Sequence, residues 1–278
     1  MTRLKLRRCV QTGWSEMGAG VVNLKIDGAI ARVSFSNPDR LNAFSLSMWQ
    51  RLGEIIYEVD QHTEVRVVVL RGEGSKAFAS GADLSEFGSE RNTPENVAAH
   101  DRMVASAQQA VIDCSKPVVA CIQGICMGGG MGLALACDLR YAARDARFCM
   151  PATRVGIGYA LDMMHHFVGT LGASRAAELF YTARTFDGVE AERIGLVHSV
   201  YDTFALAGVV ERLLAMIAEN APLSVRAAKL SIRYCQDDPD QSNLVQVAQA
   251  LRICAESHDY AEGYRAFMEK RRPRFEGR

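Results

Sequence analysis

Net charge is the first thing this sequence lacks. Its 32 Lys and Arg residues balance 32 Asp and Glu, so no chain-wide field favours nucleic acid or an anionic membrane. Long apolar runs are missing too: no window reaches membrane-spanning length, and no signal-peptide core follows the basic, acid-free start at residues 1–12. That start fits either a short organellar transit segment or a ragged terminus, and a cytoplasmic location is the expectation. The 8 cysteines show no CxxC spacing and mostly sit in apolar runs, which argues against a zinc cluster or a disulfide framework and suits a reducing compartment. No GxxxxGK[ST] loop accompanies the glycine-rich stretch, so a nucleotide phosphate loop is disfavoured.

What is present is a chain of 278 residues, 49% of them hydrophobic, the size of one large domain or of a main domain with an appendage. VVNLKIDGAIARVSFS alternates around Asp27-Gly28, which predicts an antiparallel hairpin. From Ser45 the period changes. Met48, Trp49, Leu52, Ile55, Ile56 and Val59 recur at helical spacing, and VRVVVLRG then reads as a strand buried on both faces. Thr93-Pro94 has the form of an N-cap and first position for a helix running towards Cys114. PVVACIQ, LRYAA and ARFCM supply further strands. Beyond about residue 205, ALAGVVERLLAMIAEN, PLSVRAAKLSIRYC and NLVQVAQALRICAES predict amphipathic helices in succession. The expectation is a flexible extension over 1–20, an α/β core over 21–204 and a helical region over 205–278.

Two loops follow strands of this core: AFASGADLSEF and the run GICMGGGMG. Ligands in parallel α/β sheets bind beyond the carboxyl ends of strands, so both loops should face one crevice. Glycines at a helix start leave backbone N–H groups unpaired and unshielded, where the helix dipole adds partial positive charge. One N–H from each loop could clamp a carbonyl oxygen as negative charge develops on it. Tight strand–helix packing would explain the same glycines. A GxGxxG dinucleotide site fits poorly, because the run falls a strand too late and no acid stands at the required distance.

NPDRLNAFS (37–45), KAFASGADLSEF (76–87), KPVVACIQGICMGGGMGLALACDLRYAARDARFCMP (116–151) and DYAEGYRAFMEKRRPRF (259–275) together resemble the enoyl-CoA hydratase/isomerase family, the crotonase superfamily. The resemblance spans roughly residues 21–275, in order and with family spacing. It implies an α/β fold, a spiral of ββα units, followed by helices that build a homotrimer or homohexamer. It also implies acyl-CoA thioester substrates, with CoA present only as part of the substrate, no permanently bound cofactor and no metal. The family's oxyanion-hole donors fall on the backbone N–H of Ala82 and of Gly129. The CoA arm would run past Ala79, Gly81, Asp83 and Leu84, with Ala43, Ser85 and Gly128 bordering the same site and Lys270 meeting the nucleotide end.

The departures concern proton transfer. The two glutamates that hydratases of this family use to handle water fall on Gly132 and Ala152, and neither residue can move a proton. Positions where other branches place a carboxylate fall on Tyr159 and Ala160. Tyr159 and Asp162 are therefore the candidates for proton handling, against a packing aromatic and a first-turn helix acid respectively. His165 and His166 lie one turn after Asp162, and at most one can face the crevice squarely. Glu86 and Glu90 could border the acyl pocket or be exposed loop charges, and Cys126 reads as a small buried hydrophobe. A non-catalytic CoA-ester-binding protein is the rival reading. A peptidase on the same fold lacks a serine–histidine pair beside the loops, and the only feature favouring nucleic acid is the basic cluster Lys270, Arg271, Arg272, Arg274 and Arg278.

Overall fold

In the computed structural model, which describes residues 20–86, 88, 92–236 and 241–278, the strands of the core form two sheets, and from the third strand to the eighth they alternate between them. The larger sheet holds, in spatial order, β1 (Val21–Asp27), β2 (Ile30–Ser36), β3 (Val67–Gly72), β5 (Val118–Ile122), β7 (Leu139–Ala143) and β10 (Ser199–Tyr201). The smaller holds β4 (Ala77–Ala79), β6 (Ile125–Met127), β8 (Arg147–Cys149) and β9 (Phe186–Asp187). All neighbours are parallel except the β1–β2 hairpin and the β8–β9 edge. Helix α1 (Leu46–Gln61) precedes β3, and α2 (Pro94–Asp113) and α3 (Gly129–Ala136) follow β4 and β6. After β8 come α4 (Leu161–Leu171), α5 (Ala173–Thr182) and, beyond β9, α6 (Gly188–Arg193). The pairs β3–β4, β5–β6 and β7–β8 thus each give their first strand to the large sheet and their second to the small one, then a helix: a ββα repeat.

Local chemistry explains these elements. Val67, Val68, Val69 and Leu70 of β3 are all buried, as a β-branched strand covered on both faces requires. Ser45 caps α1 by accepting from the Met48 N–H at 3.2 Å, and the apolar stripe from Met48 to Val59 is buried. Thr93 caps α2 in the same way, through the Asn96 N–H, with Pro94 in the first turn. The hairpin turn departs from the sequence reading. Asp27 pairs with Ile30, so the central residues are Gly28 and Ala29 rather than Asp27-Gly28. Positive φ is needed only at Gly28 (φ 56°), the requirement of a type II′ turn.

The C-terminal helices are α7 (Thr203–Glu219), α8 (Pro222–Gln236), α9 (Gln241–Glu256) and α10 (His258–Met268). Among the described residues, no helix is long and apolar enough to cross a membrane. The buried Lys229 of α8 fastens this region to the core, its ammonium donating to Asp138 Oδ2 at 2.7 Å and to the Lys116 carbonyl at 3.0 Å. Asp138 Oδ2 also accepts from the Val118 N–H at 2.7 Å, so one carboxylate joins α8 to the start of β5. Replacing Lys229 by Met leaves that carboxylate without its cation. Urea unfolding should show a loss of about 2–3 kcal/mol, the usual cost of removing a charged hydrogen-bond donor from a partly buried pair.

Candidate active site

The segment 37–45 serves as a latch for the loop after β4. Asn42 adopts a left-handed conformation (φ 55°), which asparagine tolerates better than most residues. Its side-chain amide donates to the carbonyls of Glu73 at 3.0 Å and Ala77 at 2.8 Å, and its oxygen accepts from the Asn37 N–H at 3.0 Å. Asn37 in turn donates to the Ala43 carbonyl at 2.9 Å. Phe44 then bridges to Ala82: its N–H donates to the Gly81 carbonyl at 2.8 Å, and its carbonyl accepts from the Asp83 N–H at 2.9 Å. Those bonds use the residues on either side of Ala82. Among the described residues, the N–H of Ala82 itself has no hydrogen-bond partner.

The second loop meets the first through the glycines. Gly128 takes φ 50° and ψ −120°, closed to a side chain without strain, and turns β6 into α3. A Cβ at Gly130 would stand 2.3 Å from the Ala79 carbonyl oxygen, so only glycine allows α3 to lie this close to β4. A Cβ at Gly129 would lie 3.9 Å from the Ala82 nitrogen and 3.2 Å from the Trp49 ring. Standard covalent geometry then holds the nitrogens of Ala82 and Gly129 within about 6.4 Å of each other. The Gly129 N–H, at the first position of α3, also lacks a partner among the described residues, and the helix dipole adds positive potential there. Two amides with no partner among the described residues therefore lie near one helix N-terminus.

One turn further along α3, the space beside Gly132 is filled from two other elements. A Cβ there would meet the Tyr159 hydroxyl at 2.7 Å and the Gln108 amide nitrogen at 3.0 Å. Tyr159 is held edge-on by Phe167 (5.5 Å between centroids) and Phe180 (5.0 Å). Its hydroxyl is buried without a hydrogen-bond partner, and burial pushes its pKa well up, so the phenol stays protonated. Gln108, on α2, is 3% exposed and reaches the Gly129 carbonyl with a long contact of 3.5 Å. The sequence reading missed this residue. Its signal was a glutamine inside the apolar stripe Val104, Ala107, Val111 of α2.

The remaining candidates are placed as follows. Ala43, Ala79 and Gly81 are buried around the latch, and Gly128 is half-buried beside them. Asp83 accepts from the Ser85 N–H at 3.0 Å and hydroxyl at 2.6 Å. Burial works to raise its pKa, but the Ser85 bonds and the Arg40 guanidinium at 3.6 Å outweigh that and hold it below the ordinary carboxylate value. Leu84 opens a short 3-10 turn, Leu84–Glu86, and Glu86 accepts from the Leu46 N–H at 3.0 Å. Glu90 lies outside the described residues. Ala152 is buried at the start of another short turn. Asp162 is exposed in the first turn of α4 and lines a cleft with Gln108, Met163 and His166, which Tyr159 and Gly132 do not line. His165 is exposed, and Cys126 is fully buried with its thiol pKa pushed up by desolvation. Lys270 is exposed just after α10, and no described contact joins it to the loops of its own chain. In the basic tail, Arg271 is bound by Glu262 and Glu269, and Arg278 by Glu276, which neutralises part of that cluster.

The family model for enoyl-CoA hydratase/isomerase matches residues 25–278. This chain belongs to that family. Among curated relatives, the short-chain-enoyl-CoA hydratase of Clostridium acetobutylicum is 32% identical, over 90% of this chain and 95% of the relative. The peroxisomal Delta(3,5)-Delta(2,4)-dienoyl-CoA isomerase of Arabidopsis thaliana is 31% identical, over 92% of this chain and 95% of the isomerase. A crystal structure described as an enoyl-CoA hydratase/carnithine racemase from Magnetospirillum magneticum superposes with a TM-score of 0.87 at 35% identity, covering 93% of this chain and 96% of that one. The mixed α/β architecture, with its parallel sheets and terminal helices, is thus the crotonase fold.

Within this family member, Gly132 and Tyr159 occupy one another's space. Gly132→Ala should cost about 1–3 kcal/mol by overpacking. Adding Tyr159→Phe, which removes the colliding oxygen, should recover most of that loss. Thermal or urea unfolding of the two single variants and the double variant measures the coupling.

Proposed function

We propose that this chain is an acyl-CoA enzyme that holds the thioester oxygen between the N–H groups of Ala82 and Gly129 and stabilises the enolate formed there. The observation that supports this most directly is that the N–H groups of Ala82 and Gly129, near one another at the start of α3, have no hydrogen-bond partner among the described residues. An enolate concentrates charge on that oxygen, so fixed donors at a helix N-terminus favour it over the neutral ester. CoA enters as part of the substrate. Its arm passes Ala79, Gly81, Asp83 and Leu84, with Lys270 at the nucleotide end. The family's glutamate positions, Gly132 and Ala152, carry no acid. Of the two candidates for proton handling, Tyr159 is the better placed, because its hydroxyl lies against Gly132, whereas Asp162 faces solvent and favours the dipole of α4.

The reading includes assembly into trimers or hexamers through the C-terminal helices, which leave Tyr260, Tyr264, Phe267 and Met268 exposed on α10. Gly129→Pro tests the donor pair. Proline removes the N–H, and the first position of a helix is where it is best accepted. The variant should remain folded by circular dichroism and lose turnover by about 100- to 1000-fold, roughly 3–4 kcal/mol of barrier. Unchanged kinetics in the folded variant would remove the donor pair from the reading. Wild-type protein that binds CoA esters yet converts none of a mixed panel would identify it instead as a CoA-ester carrier.

A further inference from the structure

We infer that a cavity at the joint between the C-terminal helices and the core binds a small organic monocarboxylate, at a site separate from the proposed thioester site. The cavity has a volume of about 340 Å3 and is walled by the ends of α1 and α2 on one side and by α8 and α9 on the other, within the size range of small-molecule pockets. Ser115, in its wall, comes shortly before β5 begins. The cavity therefore sits at the amino end of that strand, whereas the loops of the candidate active site follow the carboxyl ends of theirs.

Charge defines the ligand. Three acids stand in or beside the cavity, and each is already matched by a cation. Asp60 accepts from the Ser115 N–H at 2.7 Å and hydroxyl at 2.6 Å, with the Lys116 ammonium at 3.7 Å. Asp113 accepts from Arg233 at 2.5 Å, and Asp138 from Lys229 at 2.7 Å. The Cys114 thiol, its pKa pushed up to about 11 by burial, adds no charge. Arg226 is left over. It lines the cavity, and no acid or carbonyl among the described residues binds its guanidinium. The surplus is a single positive charge, which one carboxylate cancels and a phosphate dianion overshoots.

Hydrogen bonding points the same way. An ammonium carries three N–H donors, and the buried Lys229 uses two of them, on Asp138 and the Lys116 carbonyl. Arg233 binds the Ile112 carbonyl and Asp113 and keeps further N–H groups over. Spare donors in a wall whose acceptors are taken call for a ligand that only accepts, as an ionised carboxylate does. Leu230 and Val247 make part of the wall apolar, which suits a short hydrocarbon body. Such a ligand ties α8 and α9 to the ends of α1 and α2, so its binding strengthens the hold of the C-terminal helices on the core.

The test uses the full chain with sodium butyrate, 1-butanol and inorganic phosphate, followed by calorimetry and thermal unfolding, and with butyryl-CoA as a separate probe of the thioester site. Butyrate should bind with a Kd of about 1 mM or tighter and raise Tm, while 1-butanol and phosphate should not bind. Arg226→Gln should weaken butyrate binding by about tenfold or more, the usual loss for a hydrogen bond to a charged group. It should leave the Tm without ligand and the butyryl-CoA Kd unchanged, because Arg226 is exposed and makes no described bond. Arg226→Lys, which keeps the charge, should bind butyrate more tightly than the glutamine variant. Absence of butyrate binding overturns the inference, and so does binding that Arg226→Gln fails to weaken. Equal binding of 1-butanol, preference for phosphate, or competition between butyrate and butyryl-CoA for one site also overturns it. None of these outcomes bears on the thioester reading, which fails only if butyryl-CoA itself does not bind.

Discussion

The closeness of α3 to β4 is the constraint on which the site depends. At Gly130 the helix backbone lies so near the Ala79 carbonyl that a single added carbon would overlap it. That contact brings the start of α3 to the loop after β4, and so brings the Gly129 and Ala82 amides together. The latch at 37–45 completes the arrangement from the other side. Asn42 binds the carbonyls of Glu73 and Ala77, Phe44 bonds to Gly81 and Asp83, and among the described residues the Ala82 N–H has no partner. Backbone groups without partners are scarce in folded proteins because leaving one buried is costly. Two that lie near one helix N-terminus support the proposal that an oxygen is held there.

Around that place the chain uses neutral donors. Tyr159 and Gln108 stand beside Gly132, and the aromatic pair Phe167 and Phe180 fixes the tyrosine ring. Charged groups lie further off: Asp83 is tied to Ser85 and Arg40, and Asp162 faces solvent. Under the proposed reading, charge stabilisation falls to backbone amides and orientation to uncharged side chains. Carboxylate chemistry requires the opposite arrangement, with an ionised group at the reacting carbon.

Much of the fold was legible in the sequence because strands such as Val67–Gly72 and helices such as Leu46–Gln61 carry unbroken apolar patterns. The strands of the small sheet were harder. Ala77–Ala79 and Ile125–Met127 have only three residues each, too few to establish a period, and both are defined by pairing partners distant in sequence. Helix α10 falls inside the expected helical region but shows no clean apolar stripe, because its buried residues include Asp259 and Glu262, satisfied by backbone N–H groups of Glu276 and Arg274 rather than removed to the surface. In the site, the glycines and Ala82 announced themselves through motif spacing. Gln108 did not, since a helix has many polar residues and only packing shows which one faces inward. Likewise a tyrosine in a glycine-rich loop gives no hint that its hydroxyl will be buried unpaired.

The mutual exclusion of Gly132 and Tyr159 also constrains how this site can change over generations. A glutamate introduced at 132 would collide with the phenol oxygen, so the substitution is harmful unless position 159 has already become smaller. Sterics therefore couple the two positions, and an acid at 132 calls for a smaller side chain at 159. Such epistasis turns a 2.7 Å contact into a constraint on the evolutionary path.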